Sequence, residues 1–290
     1  MSQHRDPGTV AVLASQIRLD EKQLLQALER RGLACEHVDT RALWSALDGQ
    51  ERRWRGALNR EIGLVRALYA ARTLEWSGVP VINDAAAIEV CGDKWRTSLA
   101  LAAAGLPLPR TALALTPQAA LAALEDIGYP ALIKPVTGSW GRLIVQLRDA
   151  EMAGEVLEYV RALPGPAAHL CYVQELITTP GRDIRAIVIG GEFLGAVYRI
   201  ADGLRTNVAR GARTERCGES AEIAKLATAA AAAVAAEIAA VDLVEDPAGR
   251  ILVLEVNHRV EFSGFQAAMA DKVDVAGRIA DHLSARAQHW

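Results

Sequence analysis

Two stretches of this chain read as antiparallel hairpins, and they restrict the folds open to it more than any other feature. In RDIRAIVIGGEFLGAVYRI (182–200) two apolar runs are separated by Gly190-Gly191, and paired glycines supply the positive φ angles that a tight hairpin turn needs. In AVDLVEDPAGRILVLEVN (240–257) the turn falls on Asp246-Pro247-Ala248-Gly249. An alanine-rich helix separates them, so the chain from about residue 176 is expected to be an antiparallel sheet with a helix packed on it. The first part has a different rhythm. TVAVLAS, the helix DEKQLLQALERRG with Asp20 as N-cap and Gly32 as C-terminal stop, CEHVD, the helix EIGLVRALYAARTLEWSG and VPVIN predict a small parallel-sheet unit through about residue 88. Between the two lie helices at 93–104, 117–128 and 149–161 and strands at 129–134 and 142–147, with GLPLPRT as a break. The expected class is mixed α/β (α+β), divided as 1–88, 89–175 and 176–290.

Composition excludes several alternatives. The chain has 290 residues, 51% hydrophobic and 23% charged, which is ordinary for a folded globular protein. The alanine-rich stretch 221–241 is interrupted by Glu222, Lys225 and Glu237, so no membrane span is expected. MSQHRDPGTVAVLA carries no signal-peptide core, and a cytoplasmic location is the expectation. Cys35, Cys91, Cys171 and Cys217 form no CxxC pair, which argues against a zinc site or a disulfide framework. A net charge of −3 argues against nucleic acid as a partner. Residues 182–216 nevertheless hold seven arginines against four acids, a local excess that would meet an acidic partner.

The segment KPVTGSWGR (134–142) ends an apolar strand in Lys134 and then breaks into a loop of small residues closed by an arginine. Backbone N–H groups in Thr137, Gly138, Ser139, Trp140 and Gly141, together with the Arg142 guanidinium, would suit an anion; an ordinary solvated hairpin is the other reading. In the last hairpin, strand period puts Glu255 and Asn257 on one face, with Leu252, Leu254 and Val256 toward a core. The turn puts Asp242 nearly opposite Val253, a diagonal neighbour of Glu255. Hard oxygen ligands without His or Cys suit Mg²⁺, and a polar solvent face is the alternative.

With Lys94 in CGDKWRTSLALAAAGLPLPRT, Lys134 in ALIKPVTGSWGR, YVQELI, GRDIRAIVIGG, TNVARGA, AVDL and LEVN in this order, the chain resembles the ATP-grasp superfamily over nearly its whole length. KPVTGSWGRL, PGRDIR, TNVARG and EVNHRVEF make it similar, within that superfamily, to the RimK-related LysX/ArgX ligases. Those join an amino acid to the C-terminal glutamate of a small amino-group carrier protein. The resemblance implies an ATP-grasp fold with a parallel-sheet N-terminal domain, a central lid subdomain and a C-terminal antiparallel subdomain. It implies that Lys94 and Lys134 hold ATP phosphates and that Thr137 to Arg142 form the loop closing over them. Trp140 departs from the small residues common at that place in other ATP-grasp loops and agrees with the LysX-like pattern. Gln174, Glu175, Leu176 and Ile177 match the adenine-reading hinge, with Glu175 as acceptor for the exocyclic amine. Arg185, Asn207 and Arg210 would lie at the reacting centre, and Asp242, Glu255 and Asn257 would hold Mg²⁺. Asp183 and Arg199 would serve the substrate, Arg199 by grasping a carboxylate; an exposed salt bridge is its other reading.

The implied reaction is ATP-dependent amide formation through an acylphosphate. The implied partners are a small acidic LysW-like carrier ending in glutamate, and glutamate or α-aminoadipate as the incoming amino acid. Gly264 and Phe265 resemble the glutamate-accepting members, with Phe265 expected to shorten the pocket. A homo-oligomer, dimer or tetramer, is expected. A RimK-like ligase acting on another protein tail, a small dipeptide ligase, and a non-enzymatic nucleotide-binding protein are the alternatives.

Overall fold

The structure, a computed structural model, describes residues 8–47, 52–138, 143–200 and 213–290. Its first sheet is built from short buried strands. β1 (Val10–Leu13) is followed by α1 (Leu19–Arg30), β2 (Cys35–Val38), β3 (Gly56–Asn59), α2 (Leu64–Trp76), β4 (Val81–Ile82) and α3 (Ala85–Cys91). The four strands are parallel in the order β2-β1-β3-β4. An unbroken apolar strand such as VAVL fits a sheet covered on both faces. Val10 and Val12 enter one core with Leu24 and Leu28 of α1, and Ala11 and Leu13 enter another with Ala67, Ala71 and Leu74 of α2.

Gly32 does end α1, at φ 67° with its N–H on the Glu29 carbonyl. Asp20 is not the cap. The helix starts two residues earlier, Arg18 takes the cap position and its N–H is met by Glu21. Asp20 instead accepts the N–H groups of Phe262 and Ser263, 242 and 243 residues away, and so pins the far end of the chain to the first helix.

The second sheet follows α4 (Lys94–Ala103). It comprises β5 (Thr111–Ala114), α5 (Pro117–Ile127), β6 (Ala131–Lys134), β7 (Val145–Leu147), α6 (Ala150–Ala162) and β8 (Cys171–Glu175). The strands are antiparallel in the order β5-β8-β6-β7, and α5 and α6 pack together over Leu124, Leu147, Leu157 and Val173.

The third sheet contains the two hairpins. β9 (Arg182–Ile189) turns through Gly190 and Gly191, at φ 58° and 81°, into β10 (Glu192–Ile200). Then come β11 (Arg213–Arg216), α7 (Ala221–Ala233), β12 (Ile238–Glu245), β13 (Ile251–Asn257), α8 (Ser263–Met269) and α9 (Val275–Ala287). The order is β11-β10-β9-β12-β13, antiparallel throughout.

The β12–β13 register corrects the expected one. A bulge leaves Leu254 unpaired, so Leu243 faces Val253 while Asp242 faces Glu255 directly. The same extra residue resets the alternation: Ile251, Val253 and Val256, not Leu252, Leu254 and Val256, share the core beneath α7. The opposite face carries Ile187, Ile189 and Ala240 against Ile279 and Leu283 of α9, in a core continuous with Val10 and Leu24.

Phe265 belongs to that core. It is 2% exposed, and its ring meets Gly195, where a Cβ would lie 3.4 Å from the ring tip and 2.9 Å from the Met269 methyl. It fills space between β10 and α8. Among the described residues no helix is long and apolar enough to cross a membrane. Phe265→Ala should therefore lower unfolding free energy by about 3–5 kcal/mol in denaturant titration. A loss below about 1 kcal/mol would mean that the ring is not part of the core.

Candidate functional site

A row of charge crosses the third sheet at one end. On β9, Asp183 and Arg185 lie on the same face as Ile187 and Ile189, so the apolar face packed on α9 becomes ionic toward the strand start. Arg199 of β10 stands opposite Asp183, Asp242 of β12 opposite Arg185, and Glu255 of β13 opposite Asp242. Register turns these cross-strand neighbours into ion pairs. Arg199 binds Asp183 through Nε and Nη2, both at 2.6 Å, and Arg185 binds Asp242 in the same forked way at 2.8 Å. Arg199 also reaches Asp242 at 3.1 Å.

Burial alone would push the Asp242 carboxyl up, but the Arg185 and Arg199 guanidiniums outweigh it and hold it well below the usual carboxylate range. Burial likewise opposes the Arg199 charge, and Asp242 and Asp183 more than restore it. Arg199 is 3% exposed, so it is no surface salt bridge; its Nη1 is buried without a hydrogen-bond partner.

Glu255 ends the row and differs from Asp242. Among the described residues no guanidinium or ammonium lies within ion-pair distance of it, and its near neighbour is Asn257 Nδ2 at 3.4 Å, which lies equally far from Asp242. Two ammonium groups feel its field. Lys94 opens α4 behind the cap Asp93, which accepts the Arg96 N–H. Lys134 ends β6. Burial lowers the Lys94 pKa, with Glu255 and Asp93 opposing. Burial pushes Lys134 down to about 8, with Glu255 opposing and Lys94 adding to the fall. Two partly buried cations of depressed basicity therefore stand near one carboxyl that has no arginine partner, an arrangement suited to a polyanion carrying a cation of its own.

The loop after β6 returns to α4. Thr137 bridges to Asp93, the Lys94 N–H donates to the Val136 carbonyl at 2.9 Å, and Lys94 Nζ donates to the Gly138 carbonyl at 2.8 Å. Ser139, Trp140, Gly141 and Arg142 lie outside the described residues, as do Asn207 and Arg210. In the proposed hinge, Gln174 is 2% exposed and its Oε1 accepts from Lys134 Nζ at 2.7 Å. Glu175 accepts the Arg110 N–H, and the Leu176 N–H donates to the Pro130 carbonyl, so both are engaged within the second sheet.

Oxygen donors fit a hard cation here. Asp242 and Glu255 face each other with Asn257 between, and each carboxylate oxygen has two acceptor positions, so Asp242 keeps capacity beside its arginines. Turning the Asn257 amide would present Oδ1 to the same point. Among the described residues no three His, Cys, Asp or Glu side chains cluster as a metal site, which leaves two carboxylates and an amide, the sparse set Mg²⁺ accepts when phosphates complete its shell.

Among the described residues of 182–216 each arginine is ion-paired, while Arg205 and Arg210 lie outside them. Arg182, Arg185, Arg199, Arg213 and Arg216 pair with Glu245, Asp242, Asp183, Glu215 and Glu219. Asn83 escaped the sequence reading. It donates to the carbonyls of Ile238 and His258 and accepts the Ile238 N–H, clamping the first sheet to both strands of the Glu255 hairpin. An Asn closing VPVIN reads as an ordinary strand end.

The profile of the RimK-like ATP-grasp domain matches residues 91–283, and that of the LysX preATP-grasp domain matches residues 10–90. The chain belongs to the RimK-like ATP-grasp family. Among its relatives, the glutamate–LysW ligase ArgX of Sulfurisphaera tokodaii is 32% identical over 276 residues, covering 94% of this chain and 97% of the relative. The α-aminoadipate–LysW ligase LysX of Sulfolobus acidocaldarius is 30% identical over 251 residues, 85% of this chain and 91% of the relative. The crystal structure of a RimK domain ATP-grasp protein from Sphaerobacter thermophilus superposes with a TM-score of 0.80 at 27% identity, covering 94% and 98% of the two chains.

In this RimK-like chain the charge row is also a folding constraint. Asp242→Asn would leave Arg185 and Arg199 facing a neutral amide in a buried place, and should cost about 3–5 kcal/mol in denaturant unfolding. A loss under about 1 kcal/mol, the scale of an exposed pair, would contradict the described pairing.

Proposed function

We propose that this RimK-like protein is an ADP-forming ligase that joins the α-amino group of glutamate to the side-chain carboxylate of the C-terminal glutamate of a small acidic carrier protein. The observation that carries the reading is Glu255, the carboxylate of the row without an arginine partner, faced by Lys94 and Lys134 in a chain alignable with ArgX over 94% of its length. Of the two relatives, the one matched over the larger share of the chain is named a glutamate ligase, which favours glutamate over α-aminoadipate.

A carboxylate is a poor acyl donor because an oxide would have to leave. Transfer of the ATP γ-phosphoryl group to it gives an acylphosphate and ADP; attack by the amine then forms the amide and expels phosphate. In this reading Lys94 and Lys134 bind the phosphates as point charges. Arg185, held in a fixed orientation by Asp242, faces the charge that develops on the transferring group. Arg199 orders Asp183 and Asp242 through Nε and Nη2, and its Nη1 stays unpartnered. Thr137 and Gly138 begin the loop over the phosphates, and Gln174 to Ile177 border the adenine. Glu255, Asn257 and Asp242 would hold Mg²⁺, which when bound neutralises phosphate charge.

The test uses the purified protein with ATP, magnesium, glutamate and a LysW-like carrier ending in glutamate, following the carrier by intact mass. One glutamyl addition, dependent on ATP, is expected. Glu255→Gln should keep the wild-type unfolding midpoint and lose at least about 100-fold in turnover, the scale of removing one preorganised electrostatic group. Equal turnover by that variant would remove Glu255 from the site. Ligation of free amino acids without a carrier would instead favour a small-molecule ligase.

A further inference from the structure

Lys134 sits at the end of a buried polar chain through Gln174, Tyr172 and Ser98 whose hydrogen bonds the ligase reading leaves without a role. Its ammonium donates to Gln174 Oε1 at 2.7 Å and lies 5.8 Å from the centroid of the Tyr172 ring, its register partner on β8. The amide of Gln174 is fixed from behind. Nε2 donates to Thr111 Oγ1 and to the Tyr172 hydroxyl, both at 3.0 Å. Thr111 spends its own proton on the Pro109 carbonyl, so its oxygen is free to accept. Tyr172, accepting from Gln174, has one proton left, and Ser98 Oγ at 2.9 Å is there to take it.

Every polar atom of the amide is thereby assigned. With both N–H bonds committed, Oε1 must point at Lys134, and a flipped amide would aim N–H groups at an ammonium. Ser98, Tyr172 and Gln174 are 7%, 1% and 2% exposed, so water cannot substitute readily for a lost partner. The far end of the chain is equally placed. Ser98 lies one helical turn from Lys94 on α4, on the same side of the helix. The chain Ser98–Tyr172–Gln174–Lys134 thus runs from the element bearing one lysine to the other lysine.

We propose that Gln174, oriented by Tyr172 and Thr111, is a positioning residue that holds the Lys134 ammonium for the nucleotide phosphates, and that Ser98 ties this hold to the helix carrying Lys94. The proposal rests on the nucleotide-site reading and adds to it a role for Gln174 that is not adenine recognition. The other charged groups that face Lys134 are Lys94 and Glu255.

The experiment measures ADP binding to the full chain by calorimetry across pH. An ammonium near pKa 8 gives an affinity that is full below that pH and falls as pH rises through it. Gln174→Met keeps the length of the side chain and removes the acceptor: affinity at neutral pH should drop about tenfold, the scale of one charge-assisted hydrogen bond, and the alkaline fall should begin at lower pH. Gln174→Glu replaces the amide by a carboxylate and should move the fall to higher pH. Opposite displacements from one position cannot come from loosened packing. Tyr172→Phe, which keeps the ring and frees the amide, should move the fall in the direction of Gln174→Met, and serves if that variant does not fold. In a Lys134→Met background, Gln174→Met should leave the remaining profile unchanged. Displacement of both Gln174 variants in the same direction, or of neither while ADP still binds, overturns the proposal. A wild-type chain that binds no ADP overturns the nucleotide-site reading itself, and this proposal with it.

Discussion

The cross-strand pairing of Arg185 with Asp242 is the interaction on which the arrangement of the site depends. Two groups of opposite charge, both largely removed from water, are costly to bring together unless their geometry is good and their remaining hydrogen-bonding positions are filled. Here the fork of each guanidinium meets a carboxylate with two bonds, and Asp242 is shared between Arg185 and Arg199. A one-residue slip of β12 against β9 would put Asp242 among the apolar residues beneath α7, leave Arg185 without a carboxylate and leave Arg199 with Asp183 alone. The row therefore selects a register, and the register decides that Glu255 stands beside a carboxylate already neutralised.

That asymmetry separates two acids that look alike in sequence. Asp242 is paired with two arginines; Glu255, without one, is left within the field of lysines delivered by other parts of the chain. Lys134 arrives on the second sheet, Lys94 on the helix that leads into it, and the hairpin bearing Glu255 is held to the first sheet by Asn83. Asp20 adds a second clamp just beyond the hairpin, on Phe262 and Ser263. The first sheet is thus tied to the third by identified hydrogen bonds, and the second brings Lys134 within the field of Glu255.

The architecture was largely legible because turn chemistry and periodicity are local. Gly190-Gly191 and Asp246-Pro247-Ala248-Gly249 marked the hairpins, and the leucines of α1 marked its buried face. What escaped depended on distant partners. Nothing in ILVLEV says which residue is extra, so the bulge at Leu254 and the direct Asp242–Glu255 pairing were hidden. Asp20 stands where a cap would stand, but its carboxylate satisfies backbone groups more than 240 residues away. GALN is too short to stand out as β3. Phe265 follows a polar site in the chain, yet its ring turns into the core because Gly195 leaves room for it. Family resemblance singled out Lys94, Lys134 and Glu255, and Gln174 as part of the adenine hinge, but not the hydroxyl chain that orients its amide toward Lys134.

The central claim is that Lys94 and Lys134 together define a phosphate site. The chain has only five lysines, the others being Lys22, Lys225 and Lys272, so a nucleotide analogue whose terminal acyl phosphate acylates nearby amines gives a direct reading. Mapping the label by peptide mass spectrometry should find it on Lys94 and Lys134, with excess ATP suppressing it at both. Label confined to Lys22, Lys225 or Lys272, or label at Lys94 and Lys134 that ATP does not suppress, would contradict the account.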